Sequence, residues 1–307
     1  TDASLVAAVT HTSALPCHSL ASLRPALRNG RWGSFMRTMA GERLDALLHR
    51  RGLFPSRSRA AAAVMAGDVR LGPRGVLAKK PGQSVAEDVE IELAERPEFV
   101  SRGGRKLANA LDALGTEVAG RDCLDVGAST GGFTDCLLQR GARHVVAVDV
   151  AYGELAWSLR GDERVTVIER VNARALESSQ LPYRPDLVVC DLSFISLVKV
   201  LPAVISCAAD RHDVLAMVKP QFEVGRERVG SGGVVRDPAL RREAVAAVAQ
   251  DVRAATGSVV LGAASSGLPG PKGNRETFLW LAEPGRPGAL GADELDELLL
   301  RIEGDDG

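Results

Sequence analysis

The sequence predicts an α/β protein in which a doubly wound, mostly parallel sheet follows a small α+β domain. Apolar strand segments alternate with helical patterns between residues 122 and 218, which is typical of a parallel sheet covered by helices. A glycine-containing loop follows the first of these strands. A basic segment with a helix–helix–strand pattern precedes them, and 307 residues are sufficient for two domains.

The composition excludes several classes of protein. Hydrophobic residues make up 45% of the chain and the formal net charge is -1, so any nucleic-acid surface must be confined to part of the molecule. The absence of a run of 18 apolar residues predicts no transmembrane helix. An odd number of cysteines without C-x-x-C spacing argues against a disulfide framework or a metal site and favours a reducing cytosol. These cysteines are Cys17, Cys123, Cys136, Cys190 and Cys207.

Residues 1–38 show neither clear periodicity nor a signal-peptide pattern. The chain begins with Thr1, and Met36 and Met39 stand just ahead of the first well-patterned helix. We therefore expect residues 1–38 to be a disordered tail or an over-long reading frame, with the natural start at Met36 or Met39.

Residues 42–95 are patterned as a small helix–helix–strand module. Two short helices are predicted, the second with Ser56 or Ser58 as its N-cap, and Val69–Leu71 and residues 89–93 are typical of strands. This order, with arginines on the helices, resembles the S4 RNA-binding domain, and the resemblance implies RNA as a partner. The apolar positions of the two helices are Leu44, Leu47, Leu48 and 60–65.

The positive charge of this module lies between residues 42 and 80, where nine Arg or Lys residues stand against three acids. Such a cluster neutralises phosphates and gains free energy by counterion release, which supports RNA binding. A solvated basic face without a partner is the alternative. The RNA-binding candidates are Arg43, Arg50, Arg51, Arg57, Arg59, Lys79 and Lys80, with Arg102 and Arg105 beyond the module.

Residues 96–101 are predicted to be a linker and residues 102–285 the α/β domain. An antiparallel pair of strands, at 257–264 and Thr277–Ala282, is expected at the edge of its sheet. Residues 286–307 form an acidic tail with a surface helix at 292–303. The parallel strands are predicted at Asp122–Val126, 144–150, 186–190 and Asp213–Val218, with a helix at 133–140.

The loop after the first strand is the candidate cofactor site. Its glycines, Gly127, Gly131 and Gly132, permit a tight turn and the close approach of a ligand, but their spacing differs from the G-x-G-x-x-G of dinucleotide sites. Asp125 would repel a phosphate and can accept a hydrogen bond from an ammonium group. A zwitterionic methionine moiety fits better, which favours S-adenosylmethionine. A turn without a cofactor is the alternative.

Other cofactor candidates lie at strand ends. Asp149 ends the second strand, where a carboxylate can bind both ribose hydroxyls, and Asn172 follows the third strand, where we expect it to face the adenine. The full set is Asp125, Gly127, Ala128, Ser129, Gly131, Gly132, Phe133, Asp149, Asn172 and Asp191.

Two lysines and two acids are the catalytic candidates. Lys106 stands just ahead of the first helix of the α/β domain, and Glu276 precedes the last strand. Asp191 and Lys219 end the fourth and fifth strands, so all four are expected at one edge of the sheet. A ribose 2'-hydroxyl needs a base beside it, and a lysine serves as one when burial or a second cation favours its neutral form. We expect Lys106 to be that cation for Lys219, with Asp191 and Glu276 orienting the two ammonium groups.

These segments, together with residues 149–157, resemble the TlyA family of bacterial 2'-O-ribose methyltransferases, also known as hemolysin A. The resemblance runs from about residue 43 to Leu281. It implies an S4 domain joined to a Rossmann-like, FtsJ-like methyltransferase domain that uses S-adenosylmethionine to methylate cytidine in 16S and/or 23S rRNA. The family's Lys-Asp-Lys-Glu tetrad corresponds to the four catalytic candidates. We further expect a cytoplasmic monomer that needs no metal.

Two alternatives from other classes stay open. A non-catalytic RNA-binding ribosome-assembly factor would retain the cofactor loop without transferring a methyl group. A membrane-acting hemolysin is disfavoured by the lack of a transmembrane or signal pattern and by the complete cofactor loop.

Overall fold

The computed structural model describes residues 41–94, 97–270 and 272–305. The predicted N-terminal extension, residues 1–38, lies outside the described residues. The chain divides into two units, with the boundary between Glu95 and Arg96, and each is described by itself.

The first unit packs two helices on short strands. Ser56 is the N-cap of the second helix, because its Oγ accepts a hydrogen bond from the backbone N–H of Arg59 at 3.2 Å, and Gly67 ends this helix with a φ of +84°. Fully buried Leu44, Leu47 and Leu48 form the core, as their spacing predicted. The elements are β1 (Glu42–Arg43), α1 (Leu44–Arg50), α2 (Arg57–Ala66), β2 (Val69–Leu71), β3 (Val76–Leu77), β4 (Ser84–Val85) and β5 (Ile91–Leu93).

The second unit confirms the predicted alternation of strands and helices. Its elements are α3 (Arg102–Leu114), β6 (Asp122–Val126), α4 (Gly132–Gln139), β7 (His144–Asp149), α5 (Trp157–Arg160), β8 (Val165–Glu169), β9 (Leu187–Cys190), α6 (Leu201–Cys207), β10 (Asp213–Val218), α7 (Pro220–Glu223), α8 (Pro238–Thr256), β11 (Val259–Ser265), β12 (Thr277–Ala282) and α9 (Ala292–Asp305). Short 3-10 turns lie at 173–175, 178–180, 197–199, 226–228 and 231–233.

These strands form a seven-stranded sheet with the order β8-β7-β6-β9-β10-β12-β11. The five strands from β8 to β10 are parallel, whereas β12 runs antiparallel to both β10 and β11, as predicted. The chain leaves β6 toward β7 on one side and reaches β9 on the other, so β6 and β9 flank a topological switch point. Ligands of such sheets bind outside the carboxyl ends of the strands at this point.

Helices cover both faces of this sheet, and β6, β9 and β10 at its centre are buried except for Asp122 at the start of β6. Four cysteines with free thiols are part of this interior: Cys123, Cys136, Cys190 and Cys207. The acidic helix α9 packs its Leu295 and Leu299 onto the core, and Arg241 of α8 forms an ion pair with its Glu303.

Part of the segment predicted as a linker is anchored to the second unit. Phe99 is 6% exposed and packs in the same core cluster as Leu107 and Phe133. The backbone N–H of Val100 donates to Asp135 at 2.8 Å. The chain is therefore fixed to this unit before α3 begins.

Gly104→Ala should destabilise the protein, because an added Cβ would collide with the Phe99 ring and lie 2.8 Å from the carbonyl oxygen of Gly132. Overpacking of this kind costs about 1–3 kcal/mol. Gly103→Ala is the matched control on the same helix, since its Cβ would stay 3.5 Å from Phe133. The control should be neutral, or more stable by up to about 1 kcal/mol through helix propensity. Urea unfolding measures both, and equal midpoints would contradict the packing described for Phe99.

Candidate active site

The carboxyl edge of the parallel sheet gathers the predicted site residues. Gly127, Asp191 and Lys219 directly follow β6, β9 and β10, and Asp149 is the last residue of β7. Glu276 precedes β12, which begins at this edge because it runs antiparallel to β10. The topology therefore brings together residues from four strand ends and from the start of a fifth strand.

The glycines of the loop after β6 are required by packing within the protein. Gly127 has a φ of +85°, and a Cβ there would lie 2.5 Å from the carbonyl oxygen of Asp191. Gly131 has a φ of +96°, and its Cβ would collide with Leu155 and Leu159. The positive φ values agree with the tight turn expected from the sequence. Besides the expected approach of a ligand, neighbouring chain segments already require glycine at these positions.

Asp125 is a fully buried carboxylate beneath this loop. Its Oδ2 accepts a hydrogen bond from Thr134 Oγ1 at 2.7 Å, and its Oδ1 has no partner among the described residues. Burial raises the pKa of Asp125 to about 7, and the nearby Asp191 and Asp149 carboxylates act in the same direction. A bond from a ligand ammonium, as the sequence analysis expected, would have to be made by Oδ1.

The Asp149 carboxylate accepts backbone hydrogen bonds from two loops, the one after β6 and the one after β7. Its Oδ2 accepts from the N–H of Ser129 at 2.7 Å, and its Oδ1 accepts from the N–H of Ala151 at 2.8 Å. Asn172 is exposed and uses its Oδ1 to cap the turn at 173–175 through the N–H of Arg174. Neither of these structural uses was expected from the sequence.

The four catalytic candidates form two ion pairs. Lys106 contacts Glu276, and both side chains are less than 10% exposed. Lys219 Nζ lies 2.5 Å from Asp191 Oδ1 and donates to Ser193 Oγ at 3.0 Å. The predicted position of Lys106 ahead of the helix is wrong, because α3 begins at Arg102 and Lys106 lies inside it. Each lysine is thus held by one carboxylate.

An open cavity of about 960 Å³ lies beside these pairs and is lined by Lys219 and Glu276. Phe194, at its wall, is 90% exposed with a φ of +65°, and its ring centroid is 5.3 Å from that of Phe222. This aromatic pair and four further cations that line the cavity were not predicted from the sequence, because they lie in segments that show no periodic pattern of apolar residues. These cations are Arg174, Lys199, Arg226 and Lys272.

The RNA-binding candidates of the first unit differ in the hydrogen bonds and ion pairs that their side chains already make within the protein. Arg43 and Arg57 bind Asp45, and the Arg43 guanidinium is the main cause that lowers the pKa of this carboxyl to about 2. Arg50 pairs with two carboxylates, and Arg51 donates to the carbonyl oxygens of Val89 and Glu87. The side chains of Arg59, Lys79 and Lys80 have no partner within the described ranges.

The two candidates of the second unit are also engaged. Arg102 donates to the carbonyl oxygen of Pro269 at 2.8 Å. Arg105 forms an ion pair with Glu98 and lies 6.0 Å from the centroid of the Phe99 ring. Their sequence positions gave no indication of these partners.

Comparisons with known proteins point to one family. The family model described as FtsJ-like methyltransferase matches residues 99–283. The 16S/23S rRNA (cytidine-2'-O)-methyltransferase TlyA of Mycobacterium tuberculosis is 54% identical over 241 residues, 78% of this chain and 89% of that protein. A candidate rRNA methyltransferase of Bacillus subtilis, YqxC, is 41% identical over 86% of this chain and 94% of its own.

A solved structure supports the same relationship. A candidate hemolysin from Streptococcus thermophilus is 37% identical and superposes with a TM-score of 0.65, covering 87% of this chain and 98% of that one. Over the ranges that the structure describes, no helix is both long and apolar enough to cross a membrane.

Asp125→Asn should change the pH dependence of stability. Since the pKa of Asp125 is raised to about 7 from an ordinary value near 3.9, the folded state binds this proton more tightly than the unfolded state. The stabilisation of the folded state by this proton is therefore complete below pH ~4 and is lost as the pH rises to about 7. The free energy of unfolding falls over this range by at most about 4 kcal/mol. Relative to wild type, Asp125→Asn should be more stable at pH 8 than at pH 5.

Urea unfolding at the two pH values is the measurement. Asp122→Asn on the same strand is the control, because hydrogen bonds from Arg143 lower the pKa of Asp122, which is therefore ionised at both pH values. Its stability relative to wild type should be the same at pH 5 and at pH 8. An Asp125→Asn variant whose stability follows that of wild type at both pH values would contradict a buried, proton-binding Asp125.

Proposed function

Because the chain belongs to the FtsJ-like methyltransferase family and matches TlyA over most of both chains, we propose that it methylates the 2'-hydroxyl of cytidine in ribosomal RNA with S-adenosylmethionine. The observation that carries the proposal is the Lys219–Asp191 ion pair beside a cavity large enough for a nucleoside. The acceptor is ribosomal RNA of the 16S type, the 23S type or both. A ribosomal acceptor also favours a cytoplasmic protein, and we retain the expectation of a monomer.

Residues at the carboxyl edge fit the proposed cofactor. Bound S-adenosylmethionine supplies an electrophilic methyl group on a sulfonium. The unpartnered Oδ1 of Asp125 suits a cationic group, and the Asp149 carboxylate retains lone pairs for ribose hydroxyls after accepting two backbone N–H groups. Asn172, beyond β8, keeps its amide N–H group for the adenine, because only its Oδ1 is used in capping. We also assign Gly127, Ala128, Ser129, Gly131, Gly132 and Phe133 to this pocket.

Lys219 is the proposed base. Its neutral amine accepts the proton of the 2'-hydroxyl, and Asp191, in contact at 2.5 Å, stabilises the ammonium that results. Ser193 Oγ also accepts a hydrogen bond from Lys219 Nζ, which orients the amine. Lys106 and Glu276 form a second ion pair at the carboxyl edge of the sheet. Methyl transfer is an in-line displacement, so the positioning of the reactants should supply much of the rate.

The small N-terminal unit is the proposed S4-like RNA-binding domain. Arg59, Lys79 and Lys80 are the cations most available for phosphates, since the structure gives their side chains no partner among the described residues. Within the second unit, Arg174 and Arg226 line the cavity and supply positive charge for the acceptor strand. The exposed Phe194 ring offers a surface for a base taken out of its helix. The other predicted arginines would bind RNA only by sharing or leaving their present partners.

The alternatives make different predictions for transfer. A non-catalytic assembly factor would bind ribosomal subunits without transferring label from the cofactor. A membrane-acting hemolysin would release the contents of liposomes, and Lys219→Ala would not affect the release.

Lys219→Ala should reduce methyl transfer by at least about 100-fold, the contribution of a positioned base, and leave cofactor binding nearly unchanged. Transfer of a tritiated methyl group to ribosomal subunits that lack the modification, with calorimetry for the cofactor, measures both. Lys199→Ala is the matched control, because Lys199 lines the same cavity but lies outside both ion pairs. It should weaken RNA binding rather than the transfer step. Loss of cofactor binding together with transfer in Lys219→Ala would contradict the assignment of the base.

Arg59→Ala should weaken RNA binding and lower the slope of log affinity against log salt by about one unit, as expected for one lost phosphate contact. Arg51→Ala provides the contrast, because its guanidinium is already bonded to the carbonyl oxygens of Val89 and Glu87. It should lower the melting temperature and leave the salt slope nearly unchanged. Fluorescence anisotropy over a salt series distinguishes the two, and identical slopes for wild type and Arg59→Ala would exclude that contact.

A further inference from the structure

We propose that Asn274 is a positioning residue that fixes one wall of the acceptor cavity and so sets the fit of the RNA before Lys219. This inference rests on the proposed function, because it concerns RNA as the acceptor. It arises from a buried side-chain amide that joins two loop segments, neither of which is a strand of the sheet.

The wall is the segment from Gly225 to Val235, here called the glycine wall. Five of its residues line the cavity: Gly225, Arg226, Val229, Gly230 and Gly233. Glycines leave room for a nucleoside because they carry no side chain, yet a backbone rich in glycine loses the most conformational entropy on ordering. Inside the wall, the N–H of Gly233 donates to Gly230 at 3.1 Å, and much of the segment is exposed. Such a segment needs support from outside.

Asn274 provides this support with both ends of its amide. Its Oδ1 accepts from the N–H of Val235 at 3.0 Å, and its Nδ2 donates to the carbonyl oxygen of Gly233 at 2.8 Å. The residue is 3% exposed, so water does not readily replace either bond. An amide presents a donor and an acceptor together, whereas a carboxylate at this position would direct lone pairs at the Gly233 carbonyl.

The far end of the wall is fixed to the body of the unit. Val235 is 2% exposed and packs with Val224 and Ala244. Arg241 donates to the carbonyl oxygens of Val235 and Arg236, and its ion pair with Glu303 holds the guanidinium in place. Val235 is therefore fixed in the core, and Asn274, which binds both Val235 and Gly233, holds the cavity-lining Gly233 in a defined position relative to it.

The same asparagine is close in sequence to the chemistry. It stands two residues before Glu276, and both residues line the cavity together with Lys219. The Lys219–Asp191 contact shares no atom with Asn274, so a displaced wall would change the shape of the cavity and leave that contact in place. We expect the fit of the acceptor to suffer before the proton transfer or the binding of cofactor.

Asn274→Asp and Asn274→Ser test this assignment. Asp retains the bond to Val235 and opposes the Gly233 carbonyl, whereas Ser shortens the side chain without introducing charge. In both, the KM for ribosomal RNA should rise by about tenfold, the equivalent of one buried hydrogen bond, with kcat and cofactor affinity nearly unchanged. Hydrogen exchange of the backbone amides from 230 to 235 should accelerate.

Asn109→Ala is the matched control, since Asn109 donates a bond of similar length, 3.0 Å, to the carbonyl oxygen of Ser266 and is not part of the cavity lining. It should keep the wild-type KM. An unchanged KM in folded Asn274 variants, or a fall in kcat alone, would overturn the assignment, as would failure of both variants to fold. Absence of methyl transfer by the wild type would refute the proposed function instead, and the exchange measurement would still test the wall.

Discussion

The pairing of β10 with β12 is the constraint on which the arrangement of the site depends. In this antiparallel register Val218 is opposite Thr277, so Lys219 and Glu276 leave the sheet at neighbouring positions of one edge. A slip of one residue would turn every side chain of β12 to the other face of the sheet. Apolar packing opposes the slip, because Phe278 on one face of β12 and Leu279 and Leu281 on the other are fully buried in their own core clusters. The two ion pairs thus owe their positions to side chains that take no part in the chemistry.

Charged groups gather at both edges of the sheet, with different consequences. At the amino edge, Arg121 lies 2.9 Å from Asp186 and 2.7 Å from Asp213, which leaves both acids paired within the fold. At the carboxyl edge, Asp125 keeps an oxygen without a partner among the described residues, and Lys219 lines a cavity. A charged group whose hydrogen-bonding atoms all have partners within the fold is not available to a ligand, whereas an atom without a partner is.

Strong apolar patterns allowed much of the fold to be predicted, and the bounds of β6, β10 and β12 agree with expectation. The start of α3 was missed because its first turn contains two glycines, which are weak helix formers. The contact of Lys106 with Glu276 joins residues 170 positions apart; the strand order placed both at one edge of the sheet but did not indicate which lysine Glu276 would contact. Nor can sequence distinguish Arg51 from Arg59, because only the fold brings backbone carbonyls within reach of one of them.

The reactivity of the free thiols buried in the second unit can be used to measure local opening of its structure. Burial raises the pKa of Cys123 and of Cys136 to about 12, so the reactive thiolate is scarce in the native state. Alkylation of these groups must wait until the structure around them opens. Cys123 and Cys190 stand in β6 and β9, the strands that also position Asp125 and Asp191. Their modification rates therefore measure how often the centre of the sheet, with the carboxylates beside it, separates in solution.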